Sequence, residues 1–311
     1  MPHDPTIVGL GEALFDLLPS GKALGGAPLN MACHAQQLLA QHGLRRAQSS
    51  RGRGVVASRV GTDPLGDEVV RQLAERSMSS EFVQRDATHP TGTVHVELHE
   101  GQPTYEIVED VAWDHFEWTA AWEELAGTCA AVCFGTLAQR SPDSREAIWR
   151  FLDAAPQAVR MLDVNLRQQY YDPAVLEESC RRATLVKLNE HELPVVAELL
   201  GIPVGTEDDE MAAIMKRFAL EAIVLTRGKR GTLLVLRDEA VDAKPASYPA
   251  AENADAVGAG DACSAGILVG WVHGLPPEQI GALANRLGAY VASQPGATPQ
   301  LPREIVDLVA P

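Results

Sequence analysis

Asp255-Ala256-Val257-Gly258-Ala259-Gly260-Asp261-Ala262-Cys263 is the stretch whose reading decides the fold. Two glycines alternate with a small residue, an acid follows, and then a run of small and apolar residues extends from Ala262 to Gly270. The run has the composition of a buried helix, so Gly258 and Gly260 mark the point where a loop turns into that helix. Backbone N–H groups there have no partner within the helix and carry the positive end of its dipole. Residues without bulk let an anion approach them. A side chain at Gly260 is expected to block that approach and to strain the backbone. Asp261 falls in the first turn, beside the anion. A carboxylate in that place can simply favour the helix dipole, or it can take a proton from an attacking hydroxyl. The Gly-Ala-Gly before it favours phosphoryl transfer, with Gly258, Ala259 and Gly260 as the anion hole.

Composition narrows the function further. The 311 residues carry a formal net charge of −16, and hydrophobic residues make up 46%. That is enough apolar material for a large core. The acidic balance argues against nucleic acid or an anionic membrane as partner. The longest apolar stretch, Ala126 to Ala138, is too short to cross a bilayer. Met1-Pro2-His3-Asp4-Pro5 lacks a basic, apolar leader, which gives a cytoplasmic expectation. Cys33, Cys129, Cys133, Cys180 and Cys263 are odd in number and widely spaced, so buried thiols are expected rather than disulfides. The nine histidines form no His-Glu-x-x-His pattern, and His95 and His99 read as strand residues.

Outward from the quoted stretch, short apolar runs alternate with helical ones. Strands are expected at Thr6–Leu10, Val55–Val60, Ala130–Phe134, Val159–Val164, Thr184–Leu188 and Ile223–Thr226. Helices are expected over Ala27–Leu39 and Asp67–Arg76, with a polar loop from Leu44 to Gly54. This rhythm implies an α/β fold, a doubly wound and mainly parallel sheet covered on both faces. Thr91–Leu98 and Thr104–Val108, joined at Glu100-Gly101-Gln102-Pro103, break the rhythm and read as a hairpin of a small β-sheet lid.

In such sheets, ligands bind beyond the carboxyl ends of the strands. Gly9-Leu10-Gly11-Glu12-Ala13-Leu14-Phe15-Asp16 follows the first strand, but Leu14 stands where a dinucleotide fingerprint needs its third glycine. Gly25-Gly26-Ala27-Pro28-Leu29-Asn30 opens a helix. There Gly26 can admit a ligand and Asn30 offers it a donor and an acceptor, or the segment is a plain loop-to-helix junction. Arg167, in Asp163-Val164-Asn165-Leu166-Arg167, is a phosphate ligand or a solvated charge. Asn189-Glu190-His191-Glu192 has capping-box spacing. Thr226-Arg227-Gly228-Lys229-Arg230-Gly231 is a turn, or a strip on which a nucleotide lies.

Taken in order, these segments resemble the ribokinase-like (PfkB-type) sugar kinases. Asp255 to Asp261 is similar to the family's C-terminal signature, and Gly25 to Asn30 to its N-terminal Gly-Gly-x-x-x-Asn. Gly61-Thr62-Asp63-Pro64-Leu65-Gly66, Asn189 to Glu192, and Thr226 to Gly231 look like its Gly-Asp-Asp-x-x-Gly, Asn-x-x-Glu and Thr-x-Gly-x-x-Gly. The resemblance covers nearly the whole chain. It implies one ribokinase-like domain over residues 1–311, with a lid formed from about residues 12–25 and 86–115. It implies ATP as donor and Mg²⁺, with Asp261 as the base. Asp16, Gly26, Asn30 and Arg167 join Asp261 at the sugar. Asn189, Thr226, Gly228, Gly231, Gly258, Gly260 and Asn285 are placed at the nucleotide. Asn189 and Glu192 organise Mg²⁺ indirectly, and Asp255 belongs to the site of a monovalent cation such as K⁺. Ala256 and Val257 replace hydroxyl residues of the signature, which weakens that last expectation.

The segments Glu12 to Asp16, Thr104-Tyr105-Glu106-Ile107, Val111-Ala112-Trp113-Asp114 and Asp163 to Arg167 look most like fructokinases. D-fructose is therefore the expected acceptor, with 2-keto-3-deoxygluconate or a nucleoside as alternatives. A sugar-binding regulator without activity is the alternative of another class, and an intact Asp261 speaks against it. Asp16 would repel a sugar acid unless a basic residue stood beside it, and Lys22 is the only one between Gly11 and Asn30. The exposed edges of a small lid suggest a homodimer formed through it. The Arg-rich segment Arg45 to Arg53 has no evident role.

Overall fold

The computed structural model describes residues 4–18, 21–45, 52–99 and 102–309. Thirteen strands occur among them: β1 (Thr6–Leu10), β2 (Leu14–Leu18), β3 (Gly21–Gly25), β4 (Arg53–Gly61), β5 (Val83–Asp86), β6 (Gly92–His99), β7 (Gln102–Ile107), β8 (Ala131–Phe134), β9 (Val159–Asp163), β10 (Leu185–Asn189), β11 (Ala222–Thr226), β12 (Thr232–Leu236) and β13 (Ala240–Ala243). Nine of them form one sheet in the order β13-β12-β11-β10-β9-β8-β1-β4-β5. From β11 to β5 all neighbours run parallel, and only β12 and β13 are antiparallel. The central parallel strands are covered on both faces, which is why most of them read as short, mainly apolar runs. Ile7, Val8 and Leu10 of β1 and Ile223, Val224 and Leu225 of β11 are all fully buried. The chain leaves β1 toward β4 on one side and later returns to β8 on the other. The winding reverses at β1, and that reversal opens a crevice at the strands' carboxyl ends.

The remaining four strands make a separate sheet, β3-β2-β6-β7. Its β6–β7 pair is the expected hairpin, with Val94 opposite Ile107, although the connecting Glu100 and Gly101 lie outside the described residues. Strands β2 and β3 have no clear alternating signal in the sequence. They form because Leu14, Phe15 and Gly25 are buried and Leu17 and Leu24 pack against the core, while Leu18 and residues 21–23 are exposed. The foot of this sheet is fixed by a buried ion pair. Arg140 donates from Nε to Asp114 Oδ1 at 2.8 Å and from Nη2 to Asp114 Oδ2 at 2.7 Å, and its guanidinium lies 3.9 Å from the centre of the Trp113 ring. Asp63 holds the other side, accepting from the N–H of Gly66 at 2.8 Å and that of Thr91 at 2.7 Å.

Several boundaries differ from the sequence expectation. The first helix runs over Ala27–Arg45 and β4 starts at Arg53, so the expected loop from Leu44 to Gly54 narrows to the segment between them, of which residues 46–51 are outside the described set. The second helix is Pro64–Glu75, started earlier than Asp67 by the N-cap Asp63 and by Pro64 in its first turn. The five cysteines are free and buried, as expected. No helix among the described residues is long and apolar enough to cross a membrane.

The helix Ala259–Val272 is the buried element predicted from its composition, with every residue from Ala262 to Gly270 buried. Its small residues let the Pro277–Val291 helix come close: a Cβ on Gly266 would lie 2.8 Å from Leu287 and 2.9 Å from Ala284. A methyl group at that position would force the two helices apart.

Candidate active site

The crevice at β1 receives the amino end of the Ala259–Val272 helix. Gly258 caps that helix in the left-handed conformation (φ 76°), and a Cβ there would lie 2.4 Å from the carbonyl oxygen of Ala297. Only glycine fits this position without strain. Gly260 is different. It is helical and exposed, and a Cβ on it would meet only the Lys187 ammonium, at 3.6 Å. The backbone strain expected at Gly260 therefore belongs to Gly258. The N–H of Ala259 turns to the Ala256 carbonyl at 3.3 Å, whereas those of Gly258, Gly260 and Asp261 have no partner among the described residues. The unfilled donors suited to an anion are thus those of Gly258 and Gly260 from the expected set, with that of Asp261 added and that of Ala259 turned away.

Asp261 and Asn30, separated by 231 positions, meet at this end. Asn30 Nδ2 donates to Asp261 Oδ2 at 2.8 Å, while Asn30 Oδ1 is buried without a partner among the described residues. Burial raises the Asp261 carboxyl to about 6, and the neighbouring Asp163 charge adds to that shift. The Asn30 hydrogen bond and the charges of Lys187 and Arg167 pull the other way. The result is a carboxylate that is ionised at neutral pH yet basic enough to accept a proton.

Beneath it lies a group that the sequence reading passed over. Lys187 Nζ donates to both carboxylate oxygens of Asp163 at 2.9 Å, and Ser264 Oγ donates to Asp163 Oδ2 at 2.6 Å. These contacts tie β9, β10 and the Ala259–Val272 helix together. Burial alone would push the Lys187 ammonium down, but the Asp163 charge outweighs it and holds the group above its usual range. Glu12 was also missed. It is 3% exposed, its Oε1 accepts from the Ala27 N–H at 3.2 Å, and its Oε2 has no partner among the described residues. Burial raises its carboxyl to about 7. Glu12 and Asp163 line one cavity together with Pro28, Gly135, Thr136 and Asn165. The available signals were a lone lysine inside the apolar Leu185–Asn189 strand and acids ending apolar runs.

Of the other predicted residues, Arg167 acts through its charge on Glu12, Asp16 and Asp261. Asp16 projects from β2, and burial raises its carboxyl while the Arg167 charge lowers it. Gly26 (φ 110°) is required by the backbone, because a Cβ there would lie 2.3 Å from the Glu12 carbonyl oxygen. Lys22 is paired with Glu68 at 2.9 Å. The basic residue whose charge reaches Asp16 is Arg167, so the sequence argument that made Lys22 the only candidate does not hold.

On the other side, Asn189 Oδ1 accepts from the N–H groups of His191 (2.9 Å) and Glu192 (3.0 Å). Glu192 accepts from the N–H groups of Leu166 (2.9 Å) and Asn189 (2.8 Å). This is the capping box. With these oxygens already engaged, the pair fits Mg²⁺ through intervening water rather than by direct ligation. Asp255 likewise accepts from Val257 (2.9 Å) and Gly296 (3.0 Å), which fastens the glycine loop to the C-terminal segment. Thr226, Gly228 and Gly231 form the β11–β12 turn, where a Cβ on Gly231 would lie 2.3 Å from the Ala243 carbonyl oxygen. Asn285 braces that region, donating to the carbonyls of Ala243 (2.9 Å) and Lys244 (2.8 Å) and accepting from Thr232 Oγ1 (2.6 Å).

A helix end with free amides, a raised carboxylate and a sheet-edge crevice defines a phosphotransferase with a hydroxyl acceptor. The sequence model of the pfkB family carbohydrate kinases matches residues 20–304, and the chain belongs to that family. It is 30% identical over 318 residues to a fructokinase of Klebsiella pneumoniae, covering 94% of this chain and 95% of that protein. A crystal structure of an uncharacterized sugar kinase from Pyrococcus horikoshii in complex with ATP is similar at a TM-score of 0.77 and 26% identity, covering 98% of this chain and 99% of the other. The Vibrio cholerae fructokinase, solved with fructose, ADP and a calcium ion, shares the fold at a TM-score of 0.78 and 22% identity, over 98% of this chain and 99% of its own.

The electrostatics of Asp261 lead to a pH prediction. A base at Asp261 would work only when ionised, so kcat/KM should fall as the pH drops through about 6. Asn30→Ala removes a hydrogen bond that lowers the Asp261 value, so the acid limb should move to higher pH as the plateau falls. A limb that stays in place, or moves to lower pH, in a pH–rate profile of Asn30→Ala would contradict this coupling.

Proposed function

We propose that this carbohydrate kinase transfers the γ-phosphoryl group of ATP to a primary hydroxyl of D-fructose. The observation that carries the reading is the Asn30–Asp261 contact at the helix end whose Gly260 and Asp261 amides are free. Asp261 takes the proton of the attacking hydroxyl as its oxygen forms a bond to phosphorus and the bond to the ADP oxygen breaks. The Gly260 and Asp261 amides hold charge on the transferring group, where preorganised donors act most strongly. Asn30 steadies the carboxylate, and its free Oδ1 is available to a sugar hydroxyl. Asn189 and Glu192 would hold Mg²⁺ through water, and that ion, when bound, neutralises phosphate charge. The β3-β2-β6-β7 sheet acts as the lid of a single kinase domain and excludes water, which otherwise competes as acceptor.

Support for fructose comes from the fructokinase at 30% identity and from Asp16, a carboxylate that can accept two hydroxyl protons from a neutral polyol. One observation favours a second reading. The Arg167 charge acts on Asp16, Glu12 and Asp261, so a sugar acid such as 2-keto-3-deoxygluconate would meet a basic group there.

An ADP-release assay over D-fructose, 2-keto-3-deoxygluconate and nucleosides tests the choice. Fructose should give the highest kcat/KM. Asp16→Ala should raise its KM at least about tenfold while leaving the KM for ATP nearly unchanged. Fructose left inert, with a sugar acid or nucleoside turned over well, overturns the assignment.

We further propose that two lids pair in a homodimer. The four-stranded sheet leaves edges at β3 and β7, and Leu18, opposite Gly21 of the β3 edge, is 40% exposed. Sedimentation equilibrium should report twice the chain mass, and a monomer at micromolar concentration would contradict the pairing.

A further inference from the structure

We propose that His89, Asp110 and His115 bind a divalent transition-metal ion, zinc above all, at the foot of the small sheet. None of the three residues lines the cavity shared by Glu12 and Asp163. His89 precedes β6, and Asp110 and His115 follow β7. One ligand atom from each comes together with the other two within 4.8 Å. His115 Nε2 lies 2.9 Å and His89 Nε2 lies 3.8 Å from the same oxygen, Asp110 Oδ1. Zinc bound tetrahedrally to nitrogen and oxygen keeps its ligand atoms about 3.3 Å apart, a value between those two distances. The imidazole rings are stacked, with centroids 3.6 Å apart and an interplanar angle of 14°. To aim both lone pairs at one ion, each ring turns about its Cβ–Cγ bond, which is a soft torsion.

The surroundings have the form of a metal site's outer layer. A metal-binding histidine usually gives its second ring N–H to a carboxylate, which fixes the tautomer and raises the basicity of the ligating nitrogen. His89 Nδ1 lies 3.0 Å from Asp86 Oδ2. Asp86 is itself 2% exposed and held firmly. It accepts from the N–H groups of Thr88 (2.7 Å) and His89 (2.9 Å), and Arg59 Nε stands 2.8 Å from its Oδ2. His115 Nδ1 faces Asp143 Oδ2 at 3.8 Å. Each ring therefore has a carboxylate behind it and shares a third one in front. The histidine side chains are 25% and 27% exposed and that of Asp110 is 80% exposed, so an ion can enter from solvent and water can complete its coordination. Two imidazoles and one carboxylate suit zinc, nickel or copper rather than magnesium or calcium, which prefer oxygen. Because its ligands flank the β6–β7 hairpin, the ion would clamp together the two ends of that excursion.

Zinc itself is the probe, added to untagged, chelator-stripped full-length protein and followed by calorimetry. One ion per chain should bind at micromolar zinc. His89→Gln and His115→Gln should each weaken binding at least about tenfold, and Asp86→Asn should weaken it by about 10- to 100-fold through the orienting hydrogen bond. Circular dichroism without metal identifies any variant that fails to fold. The absorption spectrum of the cobalt-loaded wild type is independent of the variants and should lack a thiolate-to-metal charge-transfer band. Failure of the wild type to hold one ion, undiminished binding by folded histidine variants, or a thiolate band would each overturn the site.

Discussion

The active end of this kinase depends on how one buried helix is seated. The Ala259–Val272 helix drives its amino terminus into the crevice where the sheet reverses its winding, and it stays there because its neighbours leave it nowhere else to go. Gly266 lets it touch the Pro277–Val291 helix, and Ser264 bonds to the Asp163–Lys187 pair. Ala297 fills the space beside Gly258, and is held in turn by His34, whose Nε2 lies 2.9 Å from the Ala297 carbonyl oxygen. Burial lowers the His34 value to about 4, so this contact is made by a neutral imidazole at physiological pH. The free amides of Gly260 and Asp261 follow from that seating. They are donors whose partners helix geometry cannot supply and whose surroundings are too rigid to rearrange.

The same rigidity sets the chemistry of the carboxylates. Glu12, Asp163 and Asp261 lie close enough for Asp261 to feel Asp163 and for Glu12 to feel Asp261. Lys187 neutralises Asp163, so the cost of burying negative charge falls on the other two, whose values rise to about 7 and about 6. Breaking the buried pair by removing Lys187 would leave Asp163 without its counter-charge, a loss on the order of 3–5 kcal/mol. The site thus separates a structural ion pair from a carboxylate free to exchange a proton, although both acids project into one crevice.

Much of this was legible in the sequence because local rules and the global fold agree. Gly-Ala-Gly-Asp before a run of small residues gave the helix, its burial and its exposed end. The parallel strands were visible because burial on both faces demands apolar runs. The small sheet was half visible: β6 and β7 alternate, whereas β2 and β3 are short ribbons whose pairing partners make them strands. Glu12, Asp163 and Lys187 escaped as site residues because their importance comes from contacts across 15 or more positions of sequence, as with Glu12 and Ala27 or Lys187 and Asp163. Gly260 shows the opposite error. A glycine beside a phosphate site suggests a forced backbone, yet the forced position is Gly258, as its left-handed φ and the proximity of Ala297 reveal. The His89–Asp110–His115 cluster has no sequence spacing to announce it, since the β6–β7 excursion separates its members.

The central claim is that Asp261 is the proton acceptor and not an ornament of the helix dipole. Asp261→Asn keeps the size and the Asn30 neighbour but removes the basicity. Steady-state turnover, measured beside calorimetric binding of sugar and nucleotide to the same variant, tests it most directly. In that variant kcat should fall by about 10²- to 10⁴-fold while both ligands still bind. Turnover close to that of the wild type would contradict it and leave Asp261 as a helix-capping charge.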